Sequence, residues 1–251
     1  MPLIEEMEAT GRWLFRWRGY LPLAALVLLA VGLQHFAYPF GSHRWDQAWE
    51  LACLVISVLG VGVRVATVAV APRRTSGRNR KGQVADTLNT TGMYSLVRNP
   101  LYLGNFLVGL GVSLFLRAWW MPVIYSLVFV LYYERIIFAE EMFLRQKFGD
   151  AYASWAASTP MLLPRLRPWQ PPALRFNWRK VLRQEHQTAF GLVVVLYVLE
   201  VAGDWRVGKP LFDDTMWNAI AASAVVMFVA VRTLYKLTDV LQDQSSEPAG
   251  R

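Results

Sequence analysis

Residues 91–105 read TGMYSLVRNPLYLGN. They join a basic segment, APRRTSGRNRKGQ at 71–83, to an apolar run. At that junction Tyr94, Arg98, Asn99, Pro100, Tyr102 and Gly104 fall close together. Asn99 followed by Pro100 reads as a helix start, because Asn caps exposed backbone N–H groups and Pro suits the first helical position. Those two residues leave Arg98, Tyr94, Tyr102 and Gly104 to be explained. Taken singly, Arg98 is a snorkelling charge and Tyr102 a member of an interfacial aromatic belt. Taken as a set, they mark the mouth of a site.

The surroundings of that mouth are oily. Of 251 residues 55% are hydrophobic, eleven are Trp, and the mean hydropathy is +0.27, too apolar for a soluble domain unless the apolar residues are clustered. They are clustered in stretches of bilayer-spanning length. The expected fold is therefore all-α, a polytopic membrane helix bundle of about six transmembrane helices. The spans are read at 20–38, 48–71, 101–117, 120–138, 187–203 and 215–235. The stretch at 101–117 is short and carries Gly104, Gly109 and Gly111. The first stretch lacks a small-residue cleavage site before Gln34, His35 and Phe36, so it reads as an anchor and not a signal peptide.

Lys and Arg set the orientation. Arg73, Arg74, Arg78, Arg80, Lys81 and Arg98 fall in the second connection; Arg145, Lys147, Arg165, Arg167, Arg175, Arg179, Lys180 and Arg183 fall in the fourth. Both are expected on the cytoplasmic face, with both termini cytoplasmic, consistent with Arg12, Arg16 and Arg18 before the first span, and the chain in a bacterial inner membrane. The connection holding Asp204, Arg206, Lys209, Asp213 and Asp214 suits the outer face. The net charge of +8 is mostly this topology signal, and no nucleic-acid partner is expected. The single cysteine, Cys53, excludes an intrachain disulfide. His35, His43 and His186 lack metal-ligand spacing, and no metal site is read. The tail from Gln242 reads as disordered.

Hairpin arithmetic brings acids to the mouth. From Pro100 the chain runs out, turns near Arg117, Trp119 and Trp120, and returns past Tyr132, Tyr133 and Glu134. At about 1.5 Å per residue each limb crosses most of a bilayer. Glu140 and Glu141 thus return to the face of Arg98, and neighbouring helices about 8–10 Å apart let them flank one pocket. The plain alternative pairs Glu141 with Arg145 one turn on. Arg64, within LGVGVRVATVAVAP at 59–72, lies deep enough in its span to be a functional candidate. It is expected to meet a substrate head group or Glu134, or else to snorkel toward Arg73. Phe143, Leu144, Phe148, Tyr152 and Trp155 form one apolar stripe, so 143–155 reads as an amphipathic helix over the mouth, interrupted at Gly149.

TGMYSLVRNPLYLGN together with AEEMFLRQKFGDAYASWAASTPMLLPRL at 139–166 resembles the motif region of the isoprenylcysteine carboxyl methyltransferase and phospholipid methyltransferase family. The family pattern is Gly-x-Tyr, Arg-His-Pro-x-Tyr-x-Gly, a helical hairpin, Glu-Glu, and Phe-Gly-x-x-Tyr ending near a Pro. Gly92 and Tyr94; Arg98, Asn99, Pro100, Tyr102 and Gly104; Glu140 and Glu141; and Phe148, Gly149 and Tyr152 match it in order. The resemblance covers roughly residues 60–166. It implies an S-adenosylmethionine-dependent membrane methyltransferase with a cofactor pocket at the cytoplasmic face. The cofactor set is Tyr94, Arg98, Asn99, Pro100, Tyr102, Leu103, Gly104, Glu140 and Glu141, with Arg98 and Glu141 as the catalytic pair.

Arg98 suits an anionic group, Glu140 or Glu141 an amine or ribose, and Gly104 a close backbone approach. Substrate contacts fall to Arg64, Arg73 and Trp155. The family's usual His is Asn99 here, which cannot act as a base near neutral pH. Asn99 is expected to cap its helix and to hydrogen-bond the cofactor. The implied division is 1–47, an N-terminal segment and first span; 48–166, the core; and 167–251, two further spans and the tail. The partner is a lipid or lipidated small molecule presenting a carboxylate, phosphate or amine. Two other readings remain open: a nicotinamide-dependent membrane reductase of the sterol-reductase type, and a non-catalytic scaffold.

Overall fold

The computed structural model describes residues 2–38, 41–72, 85–165 and 169–238. Arg73 lies outside them, as do the basic residues 74–81 and the tail from Gln242. The described residues form seven α-helices: α1 Leu3–Trp17, α2 Leu21–Leu33, α3 His43–Val68, α4 Pro100–Phe115, α5 Trp120–Ser158, α6 Trp178–Arg206 and α7 Thr215–Leu237. A 3-10 turn, Gly92–Ser95, precedes α4.

The all-α membrane bundle expected from the sequence is present, with a different count of spans. Among the described residues, α3, α5, α6 and α7 are long and apolar enough to cross a membrane. The segments expected at 20–38 and 101–117 form helices of only 13 and 16 residues. At 1.5 Å per residue these reach roughly 20 and 24 Å, short of a hydrocarbon core of about 30 Å. The reasons are local. The chain leaves α2 at Gln34 in a tight turn, and α4 cannot extend backward past Pro100, whose ring suits only the first turn.

A seam of small residues holds α3 against α4. A side chain at Gly60 would strike the Gly104 carbonyl at 2.6 Å, and one at Gly111 would collide with Ser57 Oγ. Such residues let helix backbones approach closely where lipid removes any hydrophobic drive between helices. Beside this seam, Phe115, Leu116, Met121, Leu196 and Trp217 fill one core; Phe15, Tyr102, Phe129, Ile136 and Ile137 fill another, against α1. The outer faces of α3, α5 and α7 expose Val55, Leu59, Leu127, Leu131, Val226 and Val229, apolar side chains suited to acyl chains.

Helix α1 was not foreseen as an element. Its Gly11 lies flat on α5, against the Arg135 carbonyl and the Ala139 side chain, and Tyr132 Oη donates to the Leu14 carbonyl at 3.0 Å. Two polar ends result. The C-terminus of α3, the start of α4, Glu140 of α5 and the start of α6 share one end, where Asn177 N–H donates to the Ala69 carbonyl at 3.0 Å. The other end gathers the start of α3, Arg117, the end of α6 and the start of α7.

Candidate active site

Helix α4 starts abruptly at Pro100, so Arg98 and Asn99 stand just before it on an irregular segment. That segment is laced to the chain beyond α5: Arg98 N–H donates to the Pro160 carbonyl at 2.8 Å, and Arg165 N–H to the Leu96 carbonyl at 3.0 Å. The returning α5 sets its acids opposite. Arg98 Nε lies 3.2 Å from Glu141 Oε1, with both side chains about one fifth to one quarter exposed. Arg98 Nη1 also donates to the Ala156 carbonyl at 3.4 Å. The expected meeting of Arg98 with Glu141 is present, in place of the local pair between Glu141 and Arg145.

Glu140 takes a separate set of partners. Tyr102 Oη donates to its Oε1 at 2.9 Å, and Arg18 Nη1 stands 3.8 Å from the same oxygen. Arg18, read in the sequence only as a topology charge, reaches the site because α1 packs along α5; its guanidinium also covers the Phe15 ring at 3.8 Å. The Tyr102 ring meets Tyr133 at 4.6 Å between centroids. Burial pushes the Tyr94 phenol up to about 12, against a hydrogen bond with Asn89 and with the charge of Glu140 adding to the rise. Tyr94 therefore stays a neutral phenol at physiological pH.

The end of α5 covers this group. Gly149 adopts φ +50°, a backbone state that side chains disfavour, and splits α5 there. Beyond the break, Trp155 Nε1 donates to the Tyr94 carbonyl at 3.2 Å. Tyr152 is buried, Phe143, Leu144, Phe148 and Trp155 are half-buried, and Arg145, Lys147 and Asp150 are exposed, the stripe expected of an amphipathic segment. Three buried polar atoms under this cover lack a well-aligned hydrogen bond among the described residues: Arg98 Nε, Glu141 Oε1 and Tyr152 Oη. One donor of a cation, one acceptor of an anion and a phenol so arranged suit a ligand that carries both charges.

Three expectations are corrected. Arg64 does not meet Glu134, which is exposed on α5. Its guanidinium forks onto Glu185 of α6 at 2.8 and 2.9 Å, and Nη1 donates to Asn105 Oδ1 at 2.5 Å. Asn99 does not cap α4 with its side chain; its Nδ2 donates to the Met161 carbonyl at 3.1 Å, drawn there by the strand of chain that crosses the mouth. Its own carbonyl accepts from Tyr102 and Leu103 N–H, both at 3.1 Å. Gly104 turns its bare face to α3: a Cβ there would stand 2.5 Å from Arg64 Cγ and 2.8 Å from the Gly60 carbonyl. The close approach at Gly104 is therefore between helices.

A model of the family described as phospholipid methyltransferase matches residues 50–151. Over that segment, about two fifths of its length, the chain is similar to the phospholipid methyltransferase family. The matched segment holds Arg64, Arg98, Glu140 and Glu141, while Trp155 and Glu185 lie beyond it. Among curated relatives, the cobalt-zinc-cadmium resistance protein CzcN of Cupriavidus metallidurans is 35% identical over 51% of this chain and 56% of its own length. The nickel-cobalt-cadmium resistance protein NccN of Alcaligenes xylosoxydans xylosoxydans is 32% identical over 50% of this chain and 57% of its own. The protein-S-isoprenylcysteine O-methyltransferase of Schizosaccharomyces pombe is 34% identical over 31% of this chain and 33% of its own. The chain thus spans little more than half of the first two relatives and a third of the last. No solved structure matches it.

Proposed function

We propose that this protein is an S-adenosylmethionine-dependent methyltransferase acting on a lipid or lipidated substrate that enters from the bilayer. The observation that carries the reading is the paired mouth, Arg98 against Glu141 and Tyr102 against Glu140, at the end of an apolar bundle. Arg98, Glu141 and Tyr152, gathered at that mouth, present a cation, an anion and a phenol that suit the zwitterionic methionyl part of that cofactor. Such a cofactor supplies an electrophilic methyl group on a sulfonium.

The chain's own residues bind, orient and exclude water. Arg98 holds a carboxylate by charge-assisted hydrogen bonds, and Glu140 and Glu141 accept from an ammonium or from ribose hydroxyls. Tyr94, Asn99, Pro100, Tyr102 and Leu103 shape the wall, and Gly104 behind them lets α4 pack against α3. An ionised carboxylate or phosphate acceptor needs no proton removed, so an Asn at position 99 is compatible with the reaction. Orientation and desolvation then carry the rate, with Trp155 closing the mouth. Arg64, one layer deeper and held by Glu185 and Asn105, faces the path of an acceptor head group. Residues 48–166 form the proposed core, flanked by 1–47 and by the two-helix region 167–251. The Lys and Arg distribution supports an orientation with both termini and the mouth cytoplasmic, and the bacterial relatives suit an inner-membrane setting. The names of the resistance relatives suggest a role under metal stress, a matter of setting and not of reaction.

The test is direct. The full chain, purified in detergent, is incubated with labelled S-adenosylmethionine and a total lipid extract, and products are identified by mass spectrometry. A labelled lipid that requires Glu141 is expected. Binding of NADPH with no labelled product would favour a reductase.

A further inference from the structure

The end of the bundle opposite the mouth buries a second group of charges. Asp46 and Glu50 of α3, Glu200 and Asp204 of α6, and Asp214 at the start of α7 are each no more than 7% exposed. The outer two, Asp204 and Asp214, are well served. Tyr38 Oη donates to Asp204, while Asp214 accepts from Trp217 N–H at 2.9 Å and Gln47 Nε2 at 3.2 Å, with His43 Nε2 at 3.6 Å. The inner three are served less well. Arg117 Nη2 contacts Asp46 and lies 3.1 Å from Glu50, and Trp217 Nε1 donates to Glu50 at 2.8 Å. Neither oxygen of Glu200, 1% exposed, meets a donor among the described residues.

One oxygen from each of Asp46, Glu50 and Glu200 lies within 4.8 Å of the others. A point therefore exists about 2.8 Å or less from all three, close to the 2.3–2.6 Å of calcium–oxygen coordination and reachable by small side-chain shifts for smaller ions. Three buried carboxylates face one guanidinium, and charges withdrawn from water must be neutralised. Arg117 itself is held in a backbone state rare for a long side chain, φ +59°, with its guanidinium 4.3 Å over the Phe36 ring and Nη1 donating to the Ala37 carbonyl. Its placement is over-determined, so it is not free to swing round and serve Glu200.

We propose that Asp46, Glu50 and Glu200 bind a divalent cation that prefers oxygen ligands, of the calcium or manganese class. The cation ties the start of α3 to the end of α6, with water completing its shell. The proposal stands apart from methyl transfer, since none of these residues is near the mouth.

The experiment uses the full chain in detergent, stripped with chelator, and titrates Mn2+ while the free ion is followed by electron paramagnetic resonance. One saturable site per chain, displaced by Ca2+ and accompanied by a higher thermal midpoint, is expected. Glu200→Gln should weaken binding at least about tenfold, and the exposed Asp213→Asn should leave it unchanged. If Glu200→Gln does not fold, Asp46→Asn carries the same expectation. Absence of saturable Mn2+ and Ca2+ binding by the native chain overturns the proposal and leaves a cluster neutralised by protons. Native affinity in either folded variant overturns it as well.

Discussion

Replacing Glu185 by Gln separates the architecture of the deep arginine from its chemistry. Glu185 is 4% exposed and Arg64 15%, and two charge-assisted hydrogen bonds of 2.8 and 2.9 Å join them. Removing one partner of a buried ion pair costs about 3–5 kcal/mol, most of it from stranding the other charge. Arg64 keeps Asn105 and a little solvent, so the low end, about 3 kcal/mol, applies. For a chain of this length that corresponds to a fall in melting temperature of roughly 6–12 °C. Arg64→Met alone should fall by a similar amount, because it strands Glu185. The double variant Arg64→Met, Glu185→Met should recover most of the loss, since two apolar side chains leave no charge unpaired. Thermal unfolding of the four proteins in one detergent reads this directly. Singles that melt like the native chain, or a double that sums the two losses, would refute the pair as drawn. If the recovered double variant binds cofactor but no longer transfers methyl groups, Arg64 also serves the acceptor; full activity would remove it from the site.

Other outcomes follow from the same geometry. Arg98→Ala loses the charge-assisted contact to a carboxylate, about 1.5–3 kcal/mol, so cofactor affinity measured by calorimetry should fall about 10- to 150-fold. Gly104→Ala forces a methyl group onto Arg64 Cγ and the Gly60 carbonyl and should destabilise the α3 and α4 packing by about 1–3 kcal/mol, seen as a lower melting temperature. Trp155→Ala should lower turnover more than expression, and hydrogen exchange over residues 150–158 should slow when cofactor is added to the native chain. Equal exchange in both states would make that segment a passive surface helix.

Parts of this arrangement were legible in the sequence because they depend on local rules and counting. Apolar stretches announced the bundle, and the hairpin from Pro100 to Glu141 put Arg98 opposite Glu141 with no knowledge of side chains. Gly149 was legible as a break because a glycine interrupted an amphipathic stripe. What escaped depends on contacts between distant segments. The charge of Arg64 within its span called for a partner, yet Glu185 stands 121 residues away at the start of α6, among charges that read as loop. The role of Gly104 went to α3 because Gly60 and Arg64 sit opposite, and spacing within α4 carries no trace of them. Helix α1 hid behind its arginines, counted for sign when Arg18 was also a neighbour of Glu140. Of the buried acids, Asp204 and Asp214 read as charges of an outer connection, and Asp46, Glu50 and Glu200 drew no reading, since Asp46 and Glu200 meet only after α3 and α6 align.

The central claim is that the Arg98 mouth holds a sulfonium cofactor, and calorimetry on the purified native chain tests it most directly. Titration with S-adenosylmethionine and with S-adenosylhomocysteine should each show one site per chain, with NADPH giving no heat of binding. Saturable NADPH binding, with no binding of either sulfur compound, would contradict it.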